Sequence, residues 1–298
     1  MNELMLITVY CIVDDFINML MNYPIGQELM RHWQGKRGPK RRLCLAEVIT
    51  LNILRFYYRV YDLKIFHRLA RNTYTAAFPG LPNYENFLKA TNKSFPVLLM
   101  LLKYLLAVNR GMEAGGPFFM DSTALPVCDN HYIASHRVAK GFASRGKTTK
   151  GWFFGFKAHG VCDAEGTLLN LCFTSGSVHD SQVVSAVTEG LEGVFVGDAG
   201  YLLQAESFQA LYEKHRHIMS AARKNMKRLM SGEQKQLFRS RNIIETTWDV
   251  LKERFQLVCH LARSMTGLFR HYVYSFVSFL FRPVLESDPL LLTAPLLL

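Results

Sequence analysis

Hydrophobic residues in the first 112 positions of the chain recur at the spacing of a helix. Between Leu45 and Ile53, and again between Leu4 and Leu20, apolar side chains fall three or four residues apart. This period is typical of helices with one buried face. The mostly apolar run from Phe95 to Val108 predicts a further, buried helix. The pattern therefore predicts an all-helical region that ends at the glycine-rich stretch 109–116.

Beyond Gly116 the pattern changes to short apolar runs bounded by glycine, which favours strands. A loop of about 30 residues separates the first two predicted strands, and a loop that long in a compact domain is usually functional or disordered. The order of elements is βββαβαβα. This is the order of the ribonuclease H-like fold, in which the fourth strand pairs beside the first. The sequence thus predicts an α/β domain with a mixed five-stranded sheet and flanking helices. The predicted strands are Pro117–Asp121, Trp152–Cys162, Leu168–Thr174, Val194–Gly197 and His217–Ala221, and the predicted helices are Ser181–Gly190, Gln204–Lys214 and Ile243–Val258.

These patterns divide the chain into three predicted regions. Residues 1–112 form a helical N-terminal domain, and residues 113–283 form the ribonuclease H-like domain. Residues 284–298 form a poorly ordered tail, in which Pro289 and Pro295 stand among leucines with no clear amphipathic period.

The net charge of the chain indicates what kind of partner it binds. The chain has 35 Lys and Arg against 24 Asp and Glu, with a formal net charge of +11. Such an excess favours a polyanionic partner, nucleic acid before membrane. The basic residues are also clustered. There are eleven against two acids over residues 31–71, five against none over 137–150, and nine against one over 214–241.

The loop from Gly35 to Arg42 is strongly basic and precedes a predicted helix. It is either a solvated loop or a clamp for DNA phosphates, with the following helices acting as a helix-turn-helix-like module. We predict the second role, which makes the first domain a DNA-binding domain. The predicted DNA contacts in this loop are Lys36, Arg37, Lys40, Arg41 and Arg42.

Several features predict a soluble cytoplasmic protein, associated with the nucleoid and without a membrane partner. The six cysteines include no CxxC pair, which favours reduced thiols over a disulfide framework. The apolar start carries Asp14 and Asp15 and lacks the basic region of a signal peptide. The run from Phe95 to Val108 is too short to span a bilayer. No feature predicts a small-molecule substrate.

Three carboxylates carry the predicted chemistry. Asp121 and Asp198 each end a predicted strand, and Glu245 lies on the last predicted helix with Arg241 and Lys252 on the same face. Phosphodiester cleavage needs negative charge to be neutralised on the attacking and leaving oxygens, which two Mg²⁺ ions do in many nucleases and polymerases. Carboxylate oxygens suit such hard cations. The sequence therefore predicts a site for Mg²⁺, for which Mn²⁺ would substitute, with Asp121 bridging two ions.

Four stretches around these residues form a recognisable set: Met120–Cys128, Arg145–Lys157, Gly197–Tyr201 and Arg241–Thr246. Together they resemble the DDE transposases of bacterial insertion sequences, most closely the insertion-sequence 982 family. The resemblance implies that Asp121, Asp198 and Glu245 are the DDE triad. It also implies a transposase that cleaves the terminal inverted repeats of its element and joins the 3′-hydroxyl ends to target DNA, working as a homodimer on DNA. In the related signature Tyr-x2-Arg-x3-Glu-x6-Lys, Phe238 replaces the tyrosine.

The predicted DNA contacts near the triad are Arg145, Lys147, Lys150, Lys157, Arg241 and Lys252. Lys157 and His159 could instead belong to an exposed strand face.

Other readings stay open. Asp180 could belong to the triad or could cap the helix that follows it, which is the simpler role. Cys128, His131 and His136 could form half of a zinc site, but no second cysteine pair accompanies them. Two other functions are a ribonuclease H-like nuclease that does not join strands and a non-catalytic DNA-binding protein derived from a transposase.

Overall fold

The computed structural model describes residues 3–35, 41–60, 62–112, 115–149, 151–221, 230–258 and 261–286. The chain forms two compact units. The first contains residues 1–105 and 253–298, and the second contains residues 106–252.

All the secondary-structure elements of the first unit are helices in the residues that the structure describes. Its central helix is almost completely buried, and a capping box at Cys44 and Glu47 fixes its start. Asp62 and Asn83 cap the next two helices through their side chains. The helices are α1 (Glu3–Met21), α2 (Pro24–Gln34), α3 (Leu45–Tyr57), α4 (Leu63–Thr73), α5 (Tyr84–Lys93) and α6 (Phe95–Met112), the last of which continues into the second unit.

Two C-terminal helices complete the first unit. Helix α11 (Met265–Leu280) packs against α3, with the rings of Phe56 and Tyr274 6.0 Å apart. Helix α12 (Arg282–Glu286) follows, and Leu285 is buried. Residues 253–286 therefore pack with the helical unit, although the sequence places most of them in the catalytic domain. Residues 284–286 of the predicted tail are helical, and residues 287–298 lie outside the described chain.

Two helices in the described residues, α1 and α6, are long and apolar enough to cross a membrane by length and composition alone. Helix α6 runs to Met112, so the predicted limit at Val108 is too short. A core helix of a soluble protein passes the same test, so these helices are weak evidence for a membrane.

The second unit is built on a mixed sheet of six strands among the described residues. Four of the five predicted strands agree with the structure to within one residue at each end. The strands are β1 (Pro117–Cys128), β2 (Ser144–Thr148), β3 (Gly151–Cys162), β4 (Leu168–Ser175), β5 (Gly193–Gly197) and β6 (Arg216–Ser220).

The strands lie in the order β2-β3-β1-β5-β6, and β4 pairs with β3 on the same edge as β2. Strand β1 is antiparallel to β3 and parallel to β5, which confirms the predicted pairing of the first and fourth of the expected strands. Strand β5 pairs with β1 only over Pro117–Phe119. Beyond Phe119 this edge of β1 therefore has no strand partner among the described residues.

The predicted count of five strands is wrong, and the predicted long loop is partly strand. The missed strand β2 has the sequence Ser-Arg-Gly-Lys-Thr, which shows no alternation of apolar and polar residues. It forms because its backbone pairs antiparallel with the first residues of β3, from Thr148↔Gly151 to Ser144↔Gly155. Strand β1 also continues seven residues past Asp121, so this aspartate lies inside a strand and not at its end.

Helices cover the sheet on both faces. The core on one face contains Phe118, Met120, Val161 and Phe195, together with residues from the short helix α7 (Val184–Val187) and from α8 (Ala205–Tyr212). The other face holds α10 (Asn242–Glu253). Helix α9 (Gly232–Ser240) occupies a stretch for which no helix is predicted, and its capping box joins Ser231 and Gln234. The helix predicted over 181–190 is a single turn.

Candidate active site

A cavity of about 770 Å³ lies in the second unit, where the edge of β1 is free of β5. Its volume is in the usual range of ligand sites. Charged side chains of both signs dominate its wall. Among the described residues these are the carboxylates of Asp121, Asp180, Asp198, Glu245 and Asp249, and the basic groups of Lys147, Lys157, Arg241 and Lys252.

Asp121 reaches this cavity from the middle of β1. Its neighbour Met120 points into the apolar core, so the alternation of side chains along a strand sends Asp121 to the opposite face, where α10 lies. Burial raises the pKa of the Asp121 carboxyl to about 7; Arg241 opposes this rise, and Asp198 and Glu245 add to it. Three carboxylates are therefore close enough to repel one another.

Asp198 follows β5 directly. It caps a short 3-10 turn, Ala199–Tyr201, and its Oδ1 accepts a hydrogen bond from the backbone N–H of Gly200 at 2.8 Å. Tyr201 then turns back beneath the cavity and is fully buried. Burial raises the pKa of its hydroxyl, and the charges of Asp121, Asp180 and Asp198 raise it further.

Glu245 reaches the cavity from α10. The helix can approach the sheet closely because Gly160, which pairs with Asp121 across β1 and β3, has no side chain. A Cβ on Gly160 would lie 2.8 Å from the Trp248 ring. Trp248 is only 2% exposed and packs there. The contact between Trp248 and Gly160 therefore sets the distance between α10, which carries Glu245, and the sheet.

Arg241 lies between two of the predicted catalytic carboxylates. Its Nη1 is 3.5 Å from Oδ1 of Asp121, and its Nη2 donates to Oε1 of Glu245. In the structure, the guanidinium thus places one positive charge between two carboxyl groups, where a metal cation would also bind. Arg241 comes directly before α10 and pairs with Glu245, four residues further on, in the first turn of the helix.

Asp180 also faces the cavity, from the turn after β4. The expected capping role is wrong, because its side chain makes no cap hydrogen bond and Oδ1 instead accepts from Lys157 Nζ at 2.9 Å and Ser122 Oγ at 3.1 Å. Lys157 Nζ also donates to the Val178 carbonyl at 3.1 Å. In the sequence, the available signal for this position was the apolar strand β4, which ends at Ser175, five residues before Asp180.

His159 lies beside this pair on β3 and is completely buried, so the exposed strand face predicted for it is wrong. Burial lowers the pKa of its imidazole to about 4; the negative charge of Asp180 opposes this shift, and the positive charge of Lys157 adds to it. At neutral pH the ring therefore carries no charge.

The donor chemistry of the cavity fits a hard divalent cation, because carboxylate oxygens converge there from β1, from the end of β5 and from α10. As the side chains are placed, no group of three His, Cys, Asp or Glu residues in the described chain is close enough to hold a metal ion. Arg241 explains this spacing, since its guanidinium lies between Asp121 and Glu245. Cys128, His131 and His136 are among these described residues and form no such group.

The predicted DNA contacts fall into three groups. Lys147, Lys157, Arg241 and Lys252 line the cavity, and Arg145 is exposed on the β2–β3 hairpin beside Lys147. Arg41 and Arg42 belong to the helical unit, where Arg41 lies over the Trp33 ring and donates to its carbonyl. The remaining four, Lys36, Arg37, Lys40 and Lys150, lie outside the described residues.

The mixed sheet with helices on both faces and an acidic cavity at its free edge is consistent with a ribonuclease H-like DDE domain. A family model described as "Transposase DDE domain" matches residues 111–265, just over half of the chain. The chain belongs to this family of DDE transposases. Comparisons with curated proteins and with solved structures gave no match.

Proposed function

We propose that the protein is the transposase of a bacterial insertion sequence, closest to the insertion-sequence 982 family. It binds the terminal inverted repeats of its element, cleaves DNA strands there and joins the 3′-hydroxyl ends to target DNA. The observation that carries the proposal is the convergence of Asp121, Asp198 and Glu245 on one cavity from three different elements. Their order along the chain is that of a DDE triad.

Asp121, Asp198 and Glu245 would hold Mg²⁺, with Mn²⁺ as a substitute, and the ions would supply charge neutralisation at the scissile phosphate and an activated nucleophile. Arg241 must leave Asp121 or Glu245 for these carboxylates to turn to a cation. Once displaced, its guanidinium is suited to a DNA phosphate, which it can bind through two N–H groups.

The basic residues around the cavity would position the DNA backbone. Lys147 and Lys252 lie on its wall from the hairpin and from α10, so a phosphate chain entering the cavity meets cations on two sides. Such contacts position the duplex without reading its sequence. We assign sequence recognition to the helical domain with its basic loop, Lys36–Arg42. Two ends held together require two copies of the chain, so we propose a homodimer on DNA, in the cytoplasm.

The test is cleavage of DNA that carries the ends flanking this open reading frame, in Mg²⁺, by full-length protein. We expect Asp121→Asn to abolish cleavage while circular dichroism shows an intact fold. The control Asp249→Asn removes a carboxylate from the same cavity and should keep most of the activity. If Asp121→Asn cleaves as wild type does, the proposed site is wrong.

A second assay with pre-cut ends separates transposition from simple hydrolysis. Joined products support a transposase that completes strand transfer. Cleavage of intact ends without any joining would instead identify a nuclease of the same fold.

A further inference from the structure

Asp180 is held by one of its two oxygens. Both Lys157 Nζ and Ser122 Oγ donate to Oδ1, at 2.9 and 3.1 Å, and Lys157 is itself tied to the Val178 carbonyl. The Asp180 side chain is 19% exposed and that of Lys157 12%, so water screens this pair only partly. Two donors on a single oxygen fix the direction of the carboxylate and leave Oδ2 to face elsewhere.

The other oxygen, Oδ2, faces the turn that carries Asp198. A Cβ placed on Gly200 would lie 3.2 Å from Oδ2 of Asp180 and 2.9 Å from Oδ1 of Asp198. Both carboxylate oxygens therefore lie close to the Gly200 backbone, and the two side chains can approach each other there because residue 200 is glycine.

Asp180 and Asp198 come close together because the cavity extends across the edge of β1 that has no described strand partner beyond Phe119. Ser122 points to the same face of the sheet as Met120, where it contacts Asp180, while Asp121 points to the other face. Beyond Phe119, no described strand separates the two faces on this side. Asp198 directly follows β5 and lies where the two faces of the sheet meet.

One ring nitrogen of His159, a buried residue beside Asp180, has no hydrogen-bond partner among the described residues. His159 is completely buried and bonds Thr174 Oγ1 through Nε2 at 2.8 Å. Its Nδ1 faces Asp180 Oδ1 at 3.7 Å and has no hydrogen-bond partner in the described part of the chain. Buried polar atoms are rarely left unpaired. The surroundings of Asp180 are thus arranged for a further polar occupant.

We infer that Asp180 is a fourth acidic residue of the metal site, which helps Asp198 to hold the divalent cation through Oδ2. Lys157 and Ser122 are positioning residues that act through Oδ1 of Asp180. This inference rests on the proposed function, since it adds a residue to the same centre. Lys157 balances the charge of Asp180 in the structure, as Arg241 balances Asp121 and Glu245.

The competing role for Asp180 is purely structural, as an anchor for the segment Val178–Asp180. Both roles predict harm from large substitutions, so activity alone does not separate them. A measurement of metal affinity separates the two roles. Asp180→Asn keeps an oxygen that can accept from Ser122 and Lys157, so the local structure should persist while the negative charge is lost.

The experiment is isothermal titration of the full-length, DNA-free protein with Mn²⁺. We expect Asp180→Asn to weaken binding by about 10- to 100-fold, the usual cost of losing a group that supports a metal site. Asp249→Asn, on the same cavity wall, should change it by less than about threefold because its exposed charge is screened. Thermal unfolding of each variant checks that the fold is kept.

Two further variants make the outcome decisive. Asp121→Asn should lose Mn²⁺ binding, and if it binds as wild type does, the proposed function itself fails. If Asp121→Asn is weakened but Asp180→Asn is not, only the inference about Asp180 fails. Equal losses in Asp180→Asn and Asp249→Asn would show a long-range charge effect and also overturn it.

If Asp180→Asn does not fold, the variant Ser122→Ala tests the inference about Asp180 instead. It removes one donor to Oδ1 and leaves every charge in place. We expect a loss of Mn²⁺ affinity of about threefold, the scale of one modest hydrogen bond. Unchanged affinity would overturn the inference.

Discussion

Nη1 of Arg241 lies 3.5 Å from Oδ1 of Asp121. The contact joins β1, which carries Asp121, to the residue just before α10. The same guanidinium donates to Glu245. One arginine therefore contacts two of the three carboxylates that we propose to be catalytic, and it offsets one negative charge. Because a divalent cation would bind the same oxygens, Arg241 and the metal compete for them.

Replacing Arg241 with Gln should raise the pKa of Asp121 above its value of about 7, because Arg241 is the group that holds it down against burial. The measurement is a ¹³C NMR titration of the carboxyl carbons in metal-free protein. Arg239→Gln is the matched control, since Arg239 is exposed on α9. A pKa for Asp121 that stays or falls in Arg241→Gln would contradict the assigned contact.

Affinity for Mn²⁺ should rise with pH through neutrality. Below a pKa of about 7 the Asp121 carboxyl is mostly protonated and neutral, so a cation must displace the proton in order to bind. We expect about a tenfold loss of affinity for each pH unit below this pKa, as protons and metal compete. Titrations between about pH 5.5 and pH 8 measure the slope. Affinity that is flat over this range would show that Asp121 does not bind the metal.

Asp121→Asn should stabilise the metal-free protein at neutral pH. The pKa of Asp121 is raised from 3.8 to about 7 on folding, so between these values the folded protein keeps a proton that the unfolded chain has released. Folding therefore loses stability as pH rises through this window, and the full cost is present above it. The variant avoids the cost, with an expected gain of about 2–4 kcal/mol near pH 8.

Urea unfolding of both proteins at several pH values measures this gain. The difference should vanish as pH falls below about 3, where both states of the wild type hold the proton. A gain that is the same at every pH would point to packing and not to the charge of Asp121.

Gly160→Ala should destabilise the second unit and displace α10. The added Cβ would lie 2.8 Å from the Trp248 ring, which is buried and has little room to move. Overpacking of this kind costs about 1–3 kcal/mol. Urea unfolding measures it, with Gly232→Ala as the control, because a Cβ at Gly232 would meet nothing within 4 Å. Full stability in Gly160→Ala would show that α10 does not depend on this contact.

Lys147→Gln should weaken binding of end DNA similarly for all sequences. A lysine that binds a phosphate releases about one counterion, so the slope of log affinity against log salt should fall by about one. Fluorescence anisotropy at several salt concentrations measures the slope. Lys235→Gln, on the exposed surface of α9, is the control. Two variants with the same slope would remove Lys147 from the proposed DNA contacts.

The sequence by itself determined most of the elements, because their signals are local. A period of 3.6 residues marks the helices of the first unit, and apolar runs with glycine at or near their ends mark β3, β4 and β5. The three carboxylates could also be selected from the sequence, since Asp121 and Asp198 each follow an apolar run and Glu245 lies on a helical stretch. Their meeting in one cavity followed from the expected pairing of β1 and β5.

Only the tertiary structure decided the features that depend on partners far away in the chain. The polar strand β2 exists because β3 offers it an edge, and no hydrophobic pattern shows that. The role of Asp180 changed from a helix cap to a cavity carboxylate because Lys157, 23 residues before it, and Ser122, 58 residues before it, supply its hydrogen bonds. The position of Arg241 between Asp121 and Glu245 depends likewise on the packing of α10 against the sheet at Gly160. Local sequence fixes backbone preference and burial, whereas the pairing of charged side chains depends on which distant atoms folding brings within a few ångströms.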